Sequence, residues 1–132
     1  MSTNRSAIVL KPGDGRCYDM GAMQAVFKAD GDETGAAYSI SEWRVEPGAP
    51  GPGAHSHDAN DDMFYVLEGT ASILVGDGWI EAPAGSFVCA TAGTRHDFAN
   101  RSDAPMRLLN IFVPGGFEDA MPSIVAWFRD NG

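Results

Sequence analysis

Three histidines and one aspartate carry most of the chemistry this chain offers. His55 and His57 stand one residue apart, Asp62 follows them, and His96 lies much later; these are all 3 histidines of the protein. Imidazoles and carboxylates are the side chains that usually hold a first-row transition metal. In an extended segment side chains alternate between faces, so His55 and His57 point the same way. Asp62 opens the next apolar run and can reach the same space. Three neutral imidazoles and one carboxylate would leave a divalent iron, manganese, nickel, copper or zinc ion with positive charge and open positions. Such an ion serves as Lewis acid, template or electron carrier for a small organic substrate. Asp62 is a candidate for two roles, metal ligand or general base beside the bound substrate.

The elements that must bring these residues together read as strands. The chain has 16 glycines and 8 prolines spread along its length, which divide short apolar runs in the manner of strands joined by turns. Strands are expected over Gly21 to Ala29, Ala36 to Glu46, Met63 to Leu67, Thr70 to Val75 and Trp79 to Ala82. Further ones are expected over Ser86 to Ala90, Arg95 to Asn100 and Pro105 to Val113, with a short apolar run at Ala7 to Leu10. The segment Pro47 to Gly53 interrupts them as a loop, because proline cannot donate to a ladder. Ile124, Trp127 and Phe128 recur at helical spacing after Pro122, so a C-terminal helix is expected, packed against the outside of the strand domain or else serving as a partner-binding helix or lid. About ten short strands and one helix indicate an all-β antiparallel barrel or sandwich.

Period two extends the candidate site. If Asp62 faces inward, so do Phe64 and Val66, and His96 brings Phe98 and Asn100 with it, giving an apolar substrate pocket with a polar floor. Asn100 reads either as a residue that orients His96 or as a turn residue. Gln24 and Arg44 are candidates to project into the pocket and orient a substrate, or to sit on the wet outer face of their strands.

Composition bounds the rest. The 132 residues form one domain, 1–132, with net charge −9 and a pI near 4.5, which argues against nucleic acid and anionic membranes as partners. No apolar run is long enough to span a membrane, and Met1 to Arg5 is polar, so a cytoplasmic location is expected. Cys17 and Cys89 show no metal-type spacing and are expected to be reduced structural thiols, Cys89 a buried one. Trp79, beside a Gly-Asp-Gly turn, reads as packing or a dimer contact.

Residues 48–69 resemble the first cupin motif, in which a glycine precedes His-x-His, an acidic residue and a further glycine. Here Gly48, His55, His57, Asp62 and Gly69 occupy those positions. Residues 85–100 resemble the second motif, with Gly85, Thr91-Ala92-Gly93, His96 and Asn100. The ending Phe112 to Glu118 is similar to that of small cupins often called quercetin dioxygenase-like. The chain departs from the motifs in carrying Asp62 where glutamate is usual, and Thr91 where proline is usual. The resemblance implies a cupin-type antiparallel jelly-roll barrel with a short C-terminal helix, and one metal held by His55, His57, Asp62 and His96. It also implies a homodimer and dioxygenase-type chemistry on a small organic substrate. The alternatives are a redox-neutral isomerase, lyase or cyclase, and a non-catalytic small-molecule-binding module. The exposed apolar residues of Ala7 to Leu10 and Gly21 to Phe27 are compatible with pairing.

Overall fold

Alternation of period two decides which side of each strand is buried. In the computed structural model, which describes residues 6–131, it runs through β2 (Met23–Ala29), β3 (Ser39–Val45) and β9 (Met106–Val113) without a break. Between β3 and β9 lie β4 (Asp61–Glu68), β5 (Thr70–Val75), β6 (Gly78–Pro83), β7 (Phe87–Ala90) and β8 (His96–Ala99). With β1 (Arg16–Asp19) they make nine strands among the described residues. A 3-10 turn at Phe117–Ala120 leads into α1 (Met121–Asn131).

The strands form two antiparallel sheets, one ordered β1-β2-β3-β9-β4-β7 and the other β6-β5-β8. Their inner faces share one core, to which the larger sheet gives Met23, Phe27, Trp43, Phe64, Val66 and Leu108 and the smaller Ile73, Ala82 and Phe98. Aromatic edges pack against faces there: Trp43 meets Phe98 at 5.4 Å between ring centres, and Phe112 meets Phe117 at 5.2 Å. The Trp43 indole N–H, buried with the ring, donates to Ser41 Oγ at 2.9 Å. The one polar atom of that buried ring is thus satisfied within the core.

Most sequence expectations are met to within a few residues at each end, and three are not. Ala7 to Leu10 is exposed and belongs to no strand; an apolar run becomes a strand only when a partner takes its backbone groups. Met23, Ala25 and Phe27 are buried rather than exposed, since the alternation of β2 turns them inward. On α1 the core-facing stripe is Met121, Ile124, Val125 and Phe128, while Trp127 is 57% exposed. Met1 to Arg5 lies outside the described residues.

Candidate metal centre

The His-Ser-His segment is not a named strand, but it is held like one. His55 N–H donates to the His96 carbonyl at 3.0 Å, and His96 N–H returns the bond to His55 at 2.8 Å. Gly93 N–H donates to the His57 carbonyl at 2.7 Å. This lays the segment along β8, with the intervening Ser56 pointing out to solvent. The approach is close upstream too: a Cβ at Gly51 would overlap the Phe98 carbonyl, so only glycine lets the loop lie against the strand. Asp62, second residue of β4, faces inward opposite Phe112 of β9 and Ala90 of β7.

These constraints bring four ligand atoms from His55, His57, Asp62 and His96 within 4.8 Å of one another. Asp62 and His96 are both 2% exposed, while His55 and His57 stand at the opening, half-buried. Asp62 Oδ2 lies 2.9 Å from His96 Nε2 and 3.6 Å from His57 Nε2. The outer nitrogens are anchored: His96 Nδ1–H donates to the Thr94 carbonyl at 2.9 Å, and His55 Nδ1–H to the Gly53 carbonyl at 2.6 Å. A carbonyl only accepts, so each Nδ1 carries the hydrogen and each Nε2 is left for the centre of the cluster. His57 Nε2 is buried without a hydrogen-bond partner among the described residues. A buried nitrogen so placed, among three other donors, fits a divalent metal ion.

Charge in the cluster is strongly coupled. Burial alone would raise the Asp62 pKa, but the imidazoles of His57 and His96 and the Asn110 amide outweigh it and hold the carboxyl below its ordinary value. Burial works to lower the His96 pKa, yet the bonds to Asp62 and to the Thr94 carbonyl raise it above 6.5. For His55 burial prevails, with the neighbouring rings of His96 and His57 adding to it, and its pKa falls. Without metal, the His96–Asp62 pair therefore stabilises the fold below the ordinary imidazole pKa, and that stabilisation is lost as pH rises through the raised His96 value. The Asp62 contribution is present at neutral pH and lost in acid as its carboxyl protonates.

Other expected site residues divide into two groups. Phe64, Val66 and Phe98 are inward and buried, with the Phe64 ring 6.0 Å from that of His96; they form the packed wall behind the cluster. Phe112 and Phe117 flank His57, at 4.8 and 6.3 Å between ring centres.

Three residues do not join the site. Gln24 and Arg44 are paired across β2 and β3 on the outer face; Met23 and Ala25, and Trp43 and Val45, take the inward positions. They line a separate cleft of about 280 Å³ with Glu46, Glu68 and Arg107, near the Met23–Val45 end of the sheet. Ser39, by contrast, pairs with Phe112 at the metal end, and the six steps from Ser39 to Val45 span about 20 Å. Asn100 is fully buried, but its amide is spent on the Val45 and Ala104 carbonyls and on Ser102, which is the turn role. Cys89 is an exposed thiol, not a buried one, and Cys17 is exposed as well. Cys89 lies outward on β7, opposite Met63; the partial desolvation left to an exposed thiol and the nearby Asp61 and Asp62 carboxylates raise its pKa.

One site residue carried no sequence signal that was read. Asn110, 4% exposed on β9, donates its side-chain N–H groups to Asp62 Oδ1 and to the Met63 carbonyl, the latter at 3.1 Å. Its signal was a polar residue at the inward parity of an otherwise apolar strand, Met106, Leu108, Asn110, Phe112.

A family model described as the cupin domain matches residues 41–112. Comparison with curated protein sequences gave no significant match. Among solved structures, KdgF from Halomonas sp. superposes with a TM-score of 0.72 at 16% identity, covering 88% of this chain and 99% of that one. A protein from Thermotoga maritima described as a predicted oxalate decarboxylase gives 0.69 at 15% identity, over 86% of this chain and 99% of that one. Ectoine synthase from P. lautus gives 0.67 at 16% identity, over 81% of this chain and 75% of that one. At these identities the likeness is one of fold.

Proposed function

This chain belongs to the cupin family, and from that premise we propose that His55, His57, Asp62 and His96 hold one divalent transition-metal ion in a metal-dependent enzyme acting on a small organic substrate. The observation that carries the reading is the convergence of four ligand atoms within 4.8 Å, with the buried His57 Nε2 left unpartnered among them. When bound, iron, manganese, nickel, copper or zinc would supply Lewis acidity and, for the redox-active ions, electrons. The chain's own residues supply orientation and shielding. Thr94 and Gly53 fix the His96 and His55 rings, and Asn110 fixes Asp62. Phe64, Phe98 and Phe112 keep water from the inner side, so a substrate would approach from the half-exposed side of His55 and His57.

Dioxygenase-type chemistry is the first reading and a redox-neutral isomerase, lyase or cyclase the second. The structural neighbours include a protein described as a predicted oxalate decarboxylase and an ectoine synthase, so the fold hosts more than one chemistry. The test is elemental analysis of tag-free protein prepared without chelator, followed by oxygen uptake with a panel of enolisable carboxylic acids. Near-stoichiometric iron, copper or nickel with substrate-dependent uptake supports the first reading. Zinc with turnover and no uptake supports the second. Metal without turnover leaves a binding module, and no metal after reconstitution sinks the site.

We further propose a cytoplasmic homodimer. The outer face of the larger sheet supports pairing: Phe87 and Tyr65, cross-strand partners 58% and 43% exposed, adjoin Met63, Leu109 and Ile111 in one uncharged surface. The Glu42–Arg107–Glu68 ion pairs close its rim. In a chain of net charge −9, an uncharged face is where a second copy meets least repulsion. Phe87→Glu is expected to convert a dimer to a monomer in sedimentation, with melting temperature changed only slightly apart from the loss of association. A wild-type monomer at micromolar concentration would defeat the proposal.

A further inference from the structure

Asp62 stands where a longer carboxylate is usual, and the residue that accompanies this departure is on the adjacent strand. The two oxygens of Asp62 have different surroundings. Oδ2 faces the His96 and His57 Nε2 atoms at 2.9 and 3.6 Å, while Oδ1 is engaged by the Asn110 amide N–H. The Asn110 amide cannot be turned the other way. Both of its partners, a carboxylate oxygen and the Met63 carbonyl, are acceptors, so the side-chain nitrogen must face them. The bond to Met63 also ties the amide to the backbone of the residue after Asp62. Donor, carboxylate and carbonyl form one rigid unit spanning β4 and β9, where Phe64 and Asn110 are register partners.

From this we infer that Asn110 is a positioning residue of the metal centre: it occupies Asp62 Oδ1 so that the carboxylate offers the ion a single oxygen, Oδ2. A short side chain cannot reach far from its strand, and a carboxylate free to rotate would alternate between one-oxygen and two-oxygen contact. With Oδ1 already bonded, the two-oxygen contact is disfavoured, since turning Oδ1 toward the ion would weaken its bond to Asn110. One more position on the ion is thereby left for an exogenous ligand, and a substrate that binds through two donor atoms gains where a bidentate carboxylate would exclude it. Hydrogen bonds to metal-bound side chains orient them, and their loss commonly costs about 10–100-fold in metal affinity or activity.

The inference rests on the metal reading above, and the experiment separates the two. Full-length wild type, Asn110→Leu and Asn110→Ser are titrated with cobalt(II) and zinc(II), following the cobalt visible spectrum and measuring zinc affinity by competition. Leucine keeps the volume of asparagine but has no donor. Serine is smaller and polar, cannot span both acceptors, and guards against failure of the leucine variant to fold; circular dichroism checks each. The expected result is binding by wild type, about 10–100-fold weaker zinc affinity in the variants, and a cobalt spectrum altered in band position and intensity as the carboxylate changes its mode of contact. Wild-type affinity and an unchanged cobalt spectrum in a folded variant would overturn the role of Asn110 alone. Failure of wild type to bind either ion would overturn it together with the metal reading.

Discussion

His96→Ala is expected to weaken metal binding at least about 100-fold, since even the residues that only orient ligands are worth about 10–100-fold. His96 is the most deeply held of the three imidazoles: 2% exposed, anchored through Nδ1 to Thr94 and bonded through Nε2 to Asp62. Elemental analysis should find near-stoichiometric metal in wild type and little in the variant. A second readout is thermal: metal at 100 times its Kd raises wild-type stability by about 2.7 kcal/mol, and the variant should show almost none of this. Proton competition adds a sign. The raised His96 pKa means that below it the ion must displace a proton from this ring, so wild-type affinity should climb as pH rises through that raised value. In the variant that component of the slope disappears. Equal metal content in both proteins would sink the assignment of His96 as a ligand.

The legibility of this molecule followed the range of each interaction. His55 and His57 are separated by the single residue Ser56, and the alternation of an extended chain was enough to aim both at one point. Asp62 and His96 were candidates by residue type, but only the match to known motifs put them in one site with the other two, because nothing local links residues 34 positions apart. Inward parity was legible for Phe64, Val66 and Phe98, since their strands carry a buried residue to count from. Gln24 and Arg44 had no such reference. Each alternates with residues that are also apolar or small, so either face could have been the inner one, and only the observed register sent both outward. Asn110 was illegible for the complementary reason: Arg107 and Asn110, the two polar residues of Met106 to Val113, stand on opposite faces, so neither face is marked as the inner one until the strand is paired with β3 and β4. β1 escaped because it is four residues long and almost wholly exposed, and so lacks the alternation that marks a half-buried strand. Ala7 to Leu10 shows the opposite case, apolar composition without a paired backbone.

Asn100→Ala is expected to lower stability by about 3 kcal/mol, because it strands several polar groups at once rather than one. The side chain is fully buried. Its N–H groups donate to the Val45 carbonyl at 3.0 Å and the Ala104 carbonyl at 2.7 Å, and its oxygen accepts from Ser102 N–H at 3.0 Å and Ser102 Oγ–H at 2.6 Å. A partner left buried and unpaired costs about 1–3 kcal/mol, and Val45 is the buried one; Ala104 is exposed and Ser102 partly so, and water recovers most of their loss, which keeps the total near about 3 kcal/mol. For a domain of this size that is about 10 °C in melting temperature. Asn100→Asp should do no better, since it replaces two donors with an acceptor aimed at carbonyls. The same variants decide between the two roles the sequence left open. If Asn100 pins the turn between β8 and β9 to the end of β3, the folded variant should bind zinc within a few-fold of wild type at a temperature well below its midpoint. If instead it orients His96, metal affinity should fall along with stability. The hydrogen bonds favour the first outcome, for none of them reaches His96, whose ring is already anchored at Thr94. A melting temperature unchanged in Asn100→Ala would remove both roles.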